Sequence, residues 1–304
     1  MLVLLLLGAW SNALANPVKR DHIEVALVAA NASVGVGTPI TLGLRFLPDE
    51  HWHTYWLNPG DSGIALDVEW SLPDDASVSE VHWPYPQRIE VGHLVNYGYE
   101  GEHLLPVVFT PPADAQLGDL LEISVAAYWL VCLVECIPGE ATLSLTLPVT
   151  ETMGPSAVSQ AALFEWARNR QPIDQPQSGQ FSTASKQLSV RLPKTGVLQT
   201  WTPDPKALFV SSPNVVDHAK EVFVAVGEES IQLAQPISPF FSGSLDGLSI
   251  VAVDADQQTA YRWTLTPDAL ISDGDGLASQ PYWWVLVLAL LGGLLLNLMP
   301  CVFP

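Results

Sequence analysis

Through residues 22–149 apolar positions recur at a spacing of two, in short runs that Pro and Gly interrupt. HIEVALVAA (22–30), PITLGLRFL (39–47), ALDVEWSL (65–72), EHLLPVVFTPP (102–112), LEISVAAYWLVC (121–132) and ATLSLTLPV (141–149) each read as β-strands. Runs of this length and spacing predict an immunoglobulin-like β-sandwich over residues 17–150, although no Cys…Trp…Cys spacing of antibody type accompanies them. The period then changes. SAVSQAALFEWARNR (156–170) suits a helix closed by Pro172 and Pro176, so residues 151–177 are expected as a helical linker. Alternation returns in KQLSVRLP, ALFVSS, EVFVAVG, SIQLAQP, LSIVAVD and AYRWTLT, which predict a second sandwich over residues 178–268.

The two ends break the alternation with continuous apolar runs. LVLLLLGAWSNALA (2–15) reads as a secretory signal peptide over residues 1–15, with Ala13-Leu14-Ala15 as the cleavage site and Asn16 as the mature start. Only Met1 stands where a basic n-region belongs, so the true start is expected upstream. At the other end a polar linker, 269–281, precedes residues 282–304, which are apolar apart from Asn297 and long enough to span a bilayer. Tyr282, Trp283 and Trp284 sit where an aromatic belt marks the outer interface. Pro300 and Pro304 free backbone groups that only neighbouring helices could satisfy, so this segment reads as the first transmembrane helix of a polytopic protein. The expected fold is thus mainly β: two immunoglobulin-like sandwiches followed by a C-terminal transmembrane helix.

Charge narrows the partners. The net charge is −20, from 32 acidic against 12 basic residues, which excludes a nucleic-acid partner. An exported, acidic, β-rich chain with three cysteines has too few for a disulfide scaffold but can carry a working dithiol.

Cys132 and Cys136 close one predicted strand, and Cys301 lies in the apolar end run. Extended, the first two would sit about 13 Å apart, whereas a disulfide requires Cα atoms about 4.4–6.8 Å apart. If they pair, the chain must bend between them. A loop this short adds little entropic stabilisation, so a redox role fits better than a staple, with a staple or two unrelated thiols as the alternatives. Pro138-Gly139 reads as the neighbouring turn, which would expose Cys136 as the partner-facing sulfur. Glu135 and Glu140 would favour the protonated thiols.

Two aromatic-rich stretches, 51–63 (HWHTYWLNPGDSG) and 91–99 (VGHLVNYGY), are expected as surface-shaping loops. His51 and His53 share a face at strand spacing and could offer two metal ligands. His93 and His103 follow, but no metal-site spacing emerges, and no metal is predicted. Beyond His218, the second β region has no histidine, and it shows no catalytic constellation.

LLLNLMPCVFP (294–304) closely resembles the first membrane segment of DsbD-type thiol:disulfide interchange proteins, with Cys301 at the membrane cysteine of the M-P-C motif. HTYWLNPGDSG, LVNYGYEGEHLLPV and YWLVCLVECIPGEA resemble recurring blocks of the ScsB-like branch, which is linked to copper-stress tolerance and c-type cytochrome biogenesis. The resemblance implies a protein-disulfide reductase in the bacterial inner membrane with most of the chain in the periplasm, needing no cofactor. Cys132 and Cys136 match the family's redox pair, at a C-x3-C spacing shorter than that of the DsbD domain. Cys301 would feed that pair through a later membrane cysteine. The implied partners are the membrane domain of the same full-length protein, membrane lipid, and periplasmic thioredoxin-like or disulfide-isomerase-like proteins. The family also implies a cap loop over the cysteines, here expected at Leu94, Val95, Asn96, Tyr97, Gly98 and Tyr99, with Asn96 where the family has an aromatic. Two rival readings differ in chemistry. A copper-binding module would hold Cu(I) on His51, His53 and the cysteines, and a membrane-tethered β-sandwich adaptor would carry incidental thiols.

Overall fold

The computed structural model describes residues 17–156, 160–242 and 244–268. The expected signal peptide, the 269–281 linker and the 282–304 segment with Cys301 lie outside the described residues. Among the described residues no helix is long and apolar enough to cross a membrane.

The alternating runs of the first half fold into two sheets packed face to face. One runs Val18–Arg20, Ile23–Ala29, Ile40–Pro48, His103–Thr110, Ser77–Val78. The other runs Val34–Gly35, Cys136–Thr150, Leu120–Cys132, His53–Gly60, Leu94–Glu100, Gln87–Val91, with Asp67–Ser71 also paired to Leu120–Cys132. Their inward residues form one core, among them Val25, Leu27, Leu44 and Phe46 from the first sheet and Ile123, Val125, Trp129 and Leu145 from the second. Pairing is antiparallel except for short parallel contacts, such as Val34–Gly35 against Cys136–Thr150.

Two stretches expected as loops are strands in the middle of the second sheet. In His53–Gly60 and Leu94–Glu100 the residues Trp56, Tyr97 and Tyr99 point into the core, each at most 2% exposed. Asn58, Pro59 and Gly60 hid this alternation, because the register shifts between Tyr55 and Gly60 as the strand bulges. Gly60 has φ +90°, and a Cβ on Gly98 would stand 1.9 Å from the Thr54 carbonyl oxygen, so both glycines serve close strand approach.

Pro138-Gly139 is likewise not a turn. Both residues lie within Cys136–Thr150, opposite Leu130 and Trp129. A Cβ on Gly139 would come within 2.5 Å of the Trp129 indole, so the glycine makes room for a cross-strand ring. Cys132 and Cys136 are directly opposed with Cα atoms 4.2 Å apart, the spacing of a non-hydrogen-bonded pair. Two residues further along, Leu130 and Pro138 fall in the same class. The proline nitrogen therefore faces the open sheet edge, where a missing N–H costs no ladder bond.

The helix is Ala161–Asn169, shorter than the expected 156–170, and Ser156 instead forms a bridge with Asn31. It also packs: Phe164 and Ala167 close over Ala26, Val28 and Leu104 on the outer side of the first sheet. The second β region is an eight-stranded sheet, seven strands in one path with Ile173–Asp174 paired off it, around a core that includes Leu188, Val190, Leu233, Ile250 and Trp263. Phe209, Val251 and Ala260 of this region join the core of the first, so the two halves share an apolar contact. Phe209 lies edge-on to Tyr97 at 4.8 Å and to Trp56 at 6.2 Å.

Candidate functional site

Leu120–Cys132 and Cys136–Thr150 form the longest hairpin among the described residues, and residues 133–135 turn it, the Leu133 amide donating to the Glu135 carbonyl. That three-residue turn is what brings the cysteines together. Cys132 and Cys136 form a disulfide across the last register pair of the ladder. The bend required for pairing therefore lies between the cysteines and not at Pro138-Gly139.

The two sulfurs differ in access. Side chains alternate along Leu120–Cys132, with Val131 and Trp129 facing the core, so Cys132 belongs to the outer face of the sheet. Yet Cys132 is only 2% exposed, whereas Cys136 is open to solvent. Next to them the tip carries Leu133 and Val134, the latter 85% exposed.

Other members of the outer face are buried too. His53 sits opposite Cys132 in the ladder, Tyr55 follows two residues on, and Asn96 comes from the next strand; each is at most 2% exposed. Their cover is segment 61–66, which leaves Gly60 and crosses toward Asp67–Ser71. Gly63 lies flat on the Tyr55 ring, where an added Cβ would be 2.2 Å from Cζ. The Ser62 hydroxyl donates to Asn96 Oδ1 at 2.9 Å, and Asn96 Nδ2 stands 3.5 Å from His53 Nε2. Tyr55 Oη reaches the disulfide, 3.5 Å from Cys136 Sγ. Burial raises the Tyr55 pKa, the Ser62 contact pulling the other way, so the phenol stays neutral and can donate to sulfur. Burial lowers His53 to about 4, so it too is neutral.

The expected cap residues Leu94, Val95, Asn96, Tyr97, Gly98 and Tyr99 are therefore not a loop. They form a strand hydrogen-bonded on both sides, five of the six buried, with Tyr97 and Tyr99 turned into the core. Asn96 alone of their side chains is tied to the buried outer-face group. Segment 61–66 and Tyr55 occupy the covering position. Within HTYWLNPGDSG the signal for them was the His53–Tyr55 alternation running into Gly60 and Gly63, glycines with φ +90° and +93°.

The histidines are dispersed. His51 precedes the strand with φ 68° and is exposed beside Glu50, so it does not share the face of buried His53. His93 is exposed in the turn before Leu94–Glu100. His103 is wholly buried, its Nε2 2.8 Å from Thr54 Oγ1 and its Nδ1 donating to the Gly101 carbonyl, and burial lowers it to about 4. Among the described residues no group of three or more His, Cys, Asp or Glu side chains could hold a metal ion.

Residues 23–148 match the family model described as thiol:disulfide interchange protein DsbD, N-terminal. No curated protein sequence matches the chain. Among solved structures, the N-terminal periplasmic domain of ScsB from Proteus mirabilis is 19% identical with a TM-score of 0.59, over 87% of this chain and all of that one. At that identity the likeness is one of fold. The yeast GGA1 GAE domain (10% identity, 43% of this chain and 97% of that one, TM-score 0.26) and the periplasmic chaperone SfaE (10%, 80% and 100%, 0.22) are too distant in shape to inform the site.

Proposed function

The chain is a DsbD-type protein over residues 23–148 with the fold of the ScsB N-terminal periplasmic domain, and from that premise we propose that Cys132–Cys136 is the redox centre of a periplasmic protein-disulfide reductase domain. The observation that carries this reading is the asymmetry of the pair: one sulfur exposed at a hairpin tip, its partner 2% exposed behind it.

Such a pair suits a two-step exchange. With the dithiol reduced, the Cys136 thiolate attacks one sulfur of an oxidised partner; the partner's S–S bond breaks, and its other sulfur leaves as a thiolate that takes up a proton. Cys132, deprotonated in turn, attacks Cys136 Sγ and expels the partner's second thiolate. Two electrons and two protons pass to the partner, and the Cys132–Cys136 bond is restored. Burial of Cys132 reserves it for the internal step. Tyr55 and segment 61–66 take the part that the family assigns to a cap loop, limiting attack on Cys136 by thiols that do not dock. Leu133 and Val134 give a docking thioredoxin-like or disulfide-isomerase-like partner an apolar rim.

Regeneration needs a reductant, and in the full-length protein this is the membrane domain, where Cys301 pairs with a later membrane cysteine and reduces Cys132–Cys136. Copper-stress tolerance or cytochrome c biogenesis is the physiological setting that the ScsB-like character favours.

Single-cysteine variants test the assignment. A Cys132→Ser chain should form a stable mixed disulfide with an oxidised thioredoxin-fold protein through Cys136, and Cys136→Ser should form little. Equal trapping by both variants, or by neither, contradicts it.

A further inference from the structure

The second β region reaches the redox site through a buried cluster of polar contacts around Asn58 and Asp61. His218 is 1% exposed and sits between Asn58 and Asp61, residues of the first region. Asn58 Nδ2 lies 3.2 Å from His218 Nε2 and is a donor, so Nε2 accepts. The ring proton is then on Nδ1, which donates to Asp61 Oδ1 at 3.2 Å. The other oxygen of that carboxylate accepts the Val95 amide at 2.9 Å, while the Asp61 amide donates to the Val95 carbonyl at 2.9 Å. Asn58 is fixed in turn, its Nδ2 donating to the Val210 carbonyl at 2.7 Å and its Oδ1 accepting the Gly60 amide.

These bonds hold both ends of the bulge from which segment 61–66 departs. One residue beyond Asp61, Ser62 bonds Asn96, and one further, Gly63 presses on Tyr55, whose hydroxyl meets Cys136 Sγ. We infer that His218 is a positioning residue for exchange at Cys132–Cys136: from the neighbouring β region it fastens segment 61–66 over Tyr55 and so sets how readily the disulfide is attacked. This inference deepens the reductase reading and rests on it.

The surroundings suit a directional fastener. His218 lies edge-on to the Tyr97 ring at 5.0 Å, its carbonyl faces Arg88 Nη1 at 3.4 Å, and Asp217 is its neighbour. Burial lowers the His218 pKa while Asp61 and Asp217 oppose that shift, so above neutral pH the ring is uncharged, with Nε2 free to accept from Asn58 while Nδ1–H donates to Asp61. Adhesion between the two β regions does not depend on it, because Phe209 already packs on Trp56 and Tyr97. Removing the imidazole therefore loosens segment 61–66 and leaves the apolar contact in place.

The test uses the full chain, oxidised, with dithiothreitol as the attacking thiol and alkylation of freed cysteines as the readout. A hydrogen bond to a charged group is strong enough that its loss should speed reduction about tenfold in His218→Ala. Asp61→Ala, which also frees the Val95 amide, should be at least as fast, and adding His218→Ala to it should bring no further rise, since the link from His218 runs through Asp61. His218→Gln, which can still donate to Asp61, should recover much of the slow rate. Arg262→Ala breaks the exposed ion pair with Asp174 and should leave the rate unchanged. A wild-type rate in both His218→Ala and Asp61→Ala, effects that multiply in the double variant, or an equal rise in Arg262→Ala overturns the inference. Should His218→Ala fail to fold, Asp61→Ala and His218→Gln decide the matter. Failure of the reductase reading looks different: wild-type protein would then pass no electrons to a protein disulfide, whatever residue stands at 218.

Discussion

The hydroxyl of Tyr55 lies 3.5 Å from Cys136 Sγ, so the more exposed sulfur of the disulfide is approached from the protein side by a buried phenol and from outside by solvent. The ring covers, and the hydroxyl adds one weak contact to sulfur. Tyr55→Ala should therefore raise the rate of disulfide reduction by a small dithiol about tenfold, the scale of a single lost contact of about 1.4 kcal/mol. Tyr55→Phe should stay within about twofold of wild type. Equal acceleration in both variants would show that the hydroxyl, and not the ring, is the shield.

Val134 at the hairpin tip is 85% exposed, so its substitution should leave stability within about 0.5 kcal/mol. Val134→Glu should slow electron transfer to a thioredoxin-like protein while reduction by dithiothreitol is unchanged. Loss of both rates together would place Val134 in the fold and not in docking.

Gly139 faces the Trp129 indole across the ladder with no space for a Cβ. Gly139→Val should cost about 1–3 kcal/mol by overpacking, read as a lower midpoint in urea unfolding. A shift below 0.5 kcal/mol would mean that the indole moves aside freely.

Acid should weaken the fold through His103. Its folded pKa is lowered by burial to about 4, against about 6.5 for an unfolded histidine. Between those values the unfolded chain binds more protons, so stability is fully present above about pH 6.5 and is lost as pH falls toward 4. For one wholly buried ring the total is on the order of 3 kcal/mol. Replacement by His103→Gln should flatten the dependence of unfolding free energy on pH by about one proton in that window. An unchanged slope would show that the buried ring already carries its proton.

The mainly β character was legible because strands such as Cys136–Thr150 and Ser230–Pro236 alternate cleanly between buried and open positions. The central strands were not, for two physical reasons. Strands buried on both faces lose the polar half of their period, as the buried run 95–99 does in Leu94–Glu100, and a bulge at 58–60 breaks the count in His53–Gly60. Pro138-Gly139 misled because its usual meaning is a turn, whereas here the proline faces a free edge and the glycine admits an indole. The cysteine pair could be read from spacing and resemblance. Its cover could not, since Tyr55, segment 61–66 and His218 meet only through tertiary contacts between residues far apart in sequence.

The central claim is that Cys132–Cys136 donates electrons to protein disulfides, and transfer between purified proteins tests it most directly. The chain, reduced and freed of reductant, is mixed with an oxidised thioredoxin-fold protein, quenched in acid and counted for free thiols on each protein by alkylation and mass. The account predicts the loss of two thiols, those of Cys132 and Cys136, matched by the gain of two on the partner, through a transient mixed disulfide at Cys136. A reduced pair that keeps both thiols while the partner stays oxidised, under conditions where a small dithiol does reduce that partner, would contradict it.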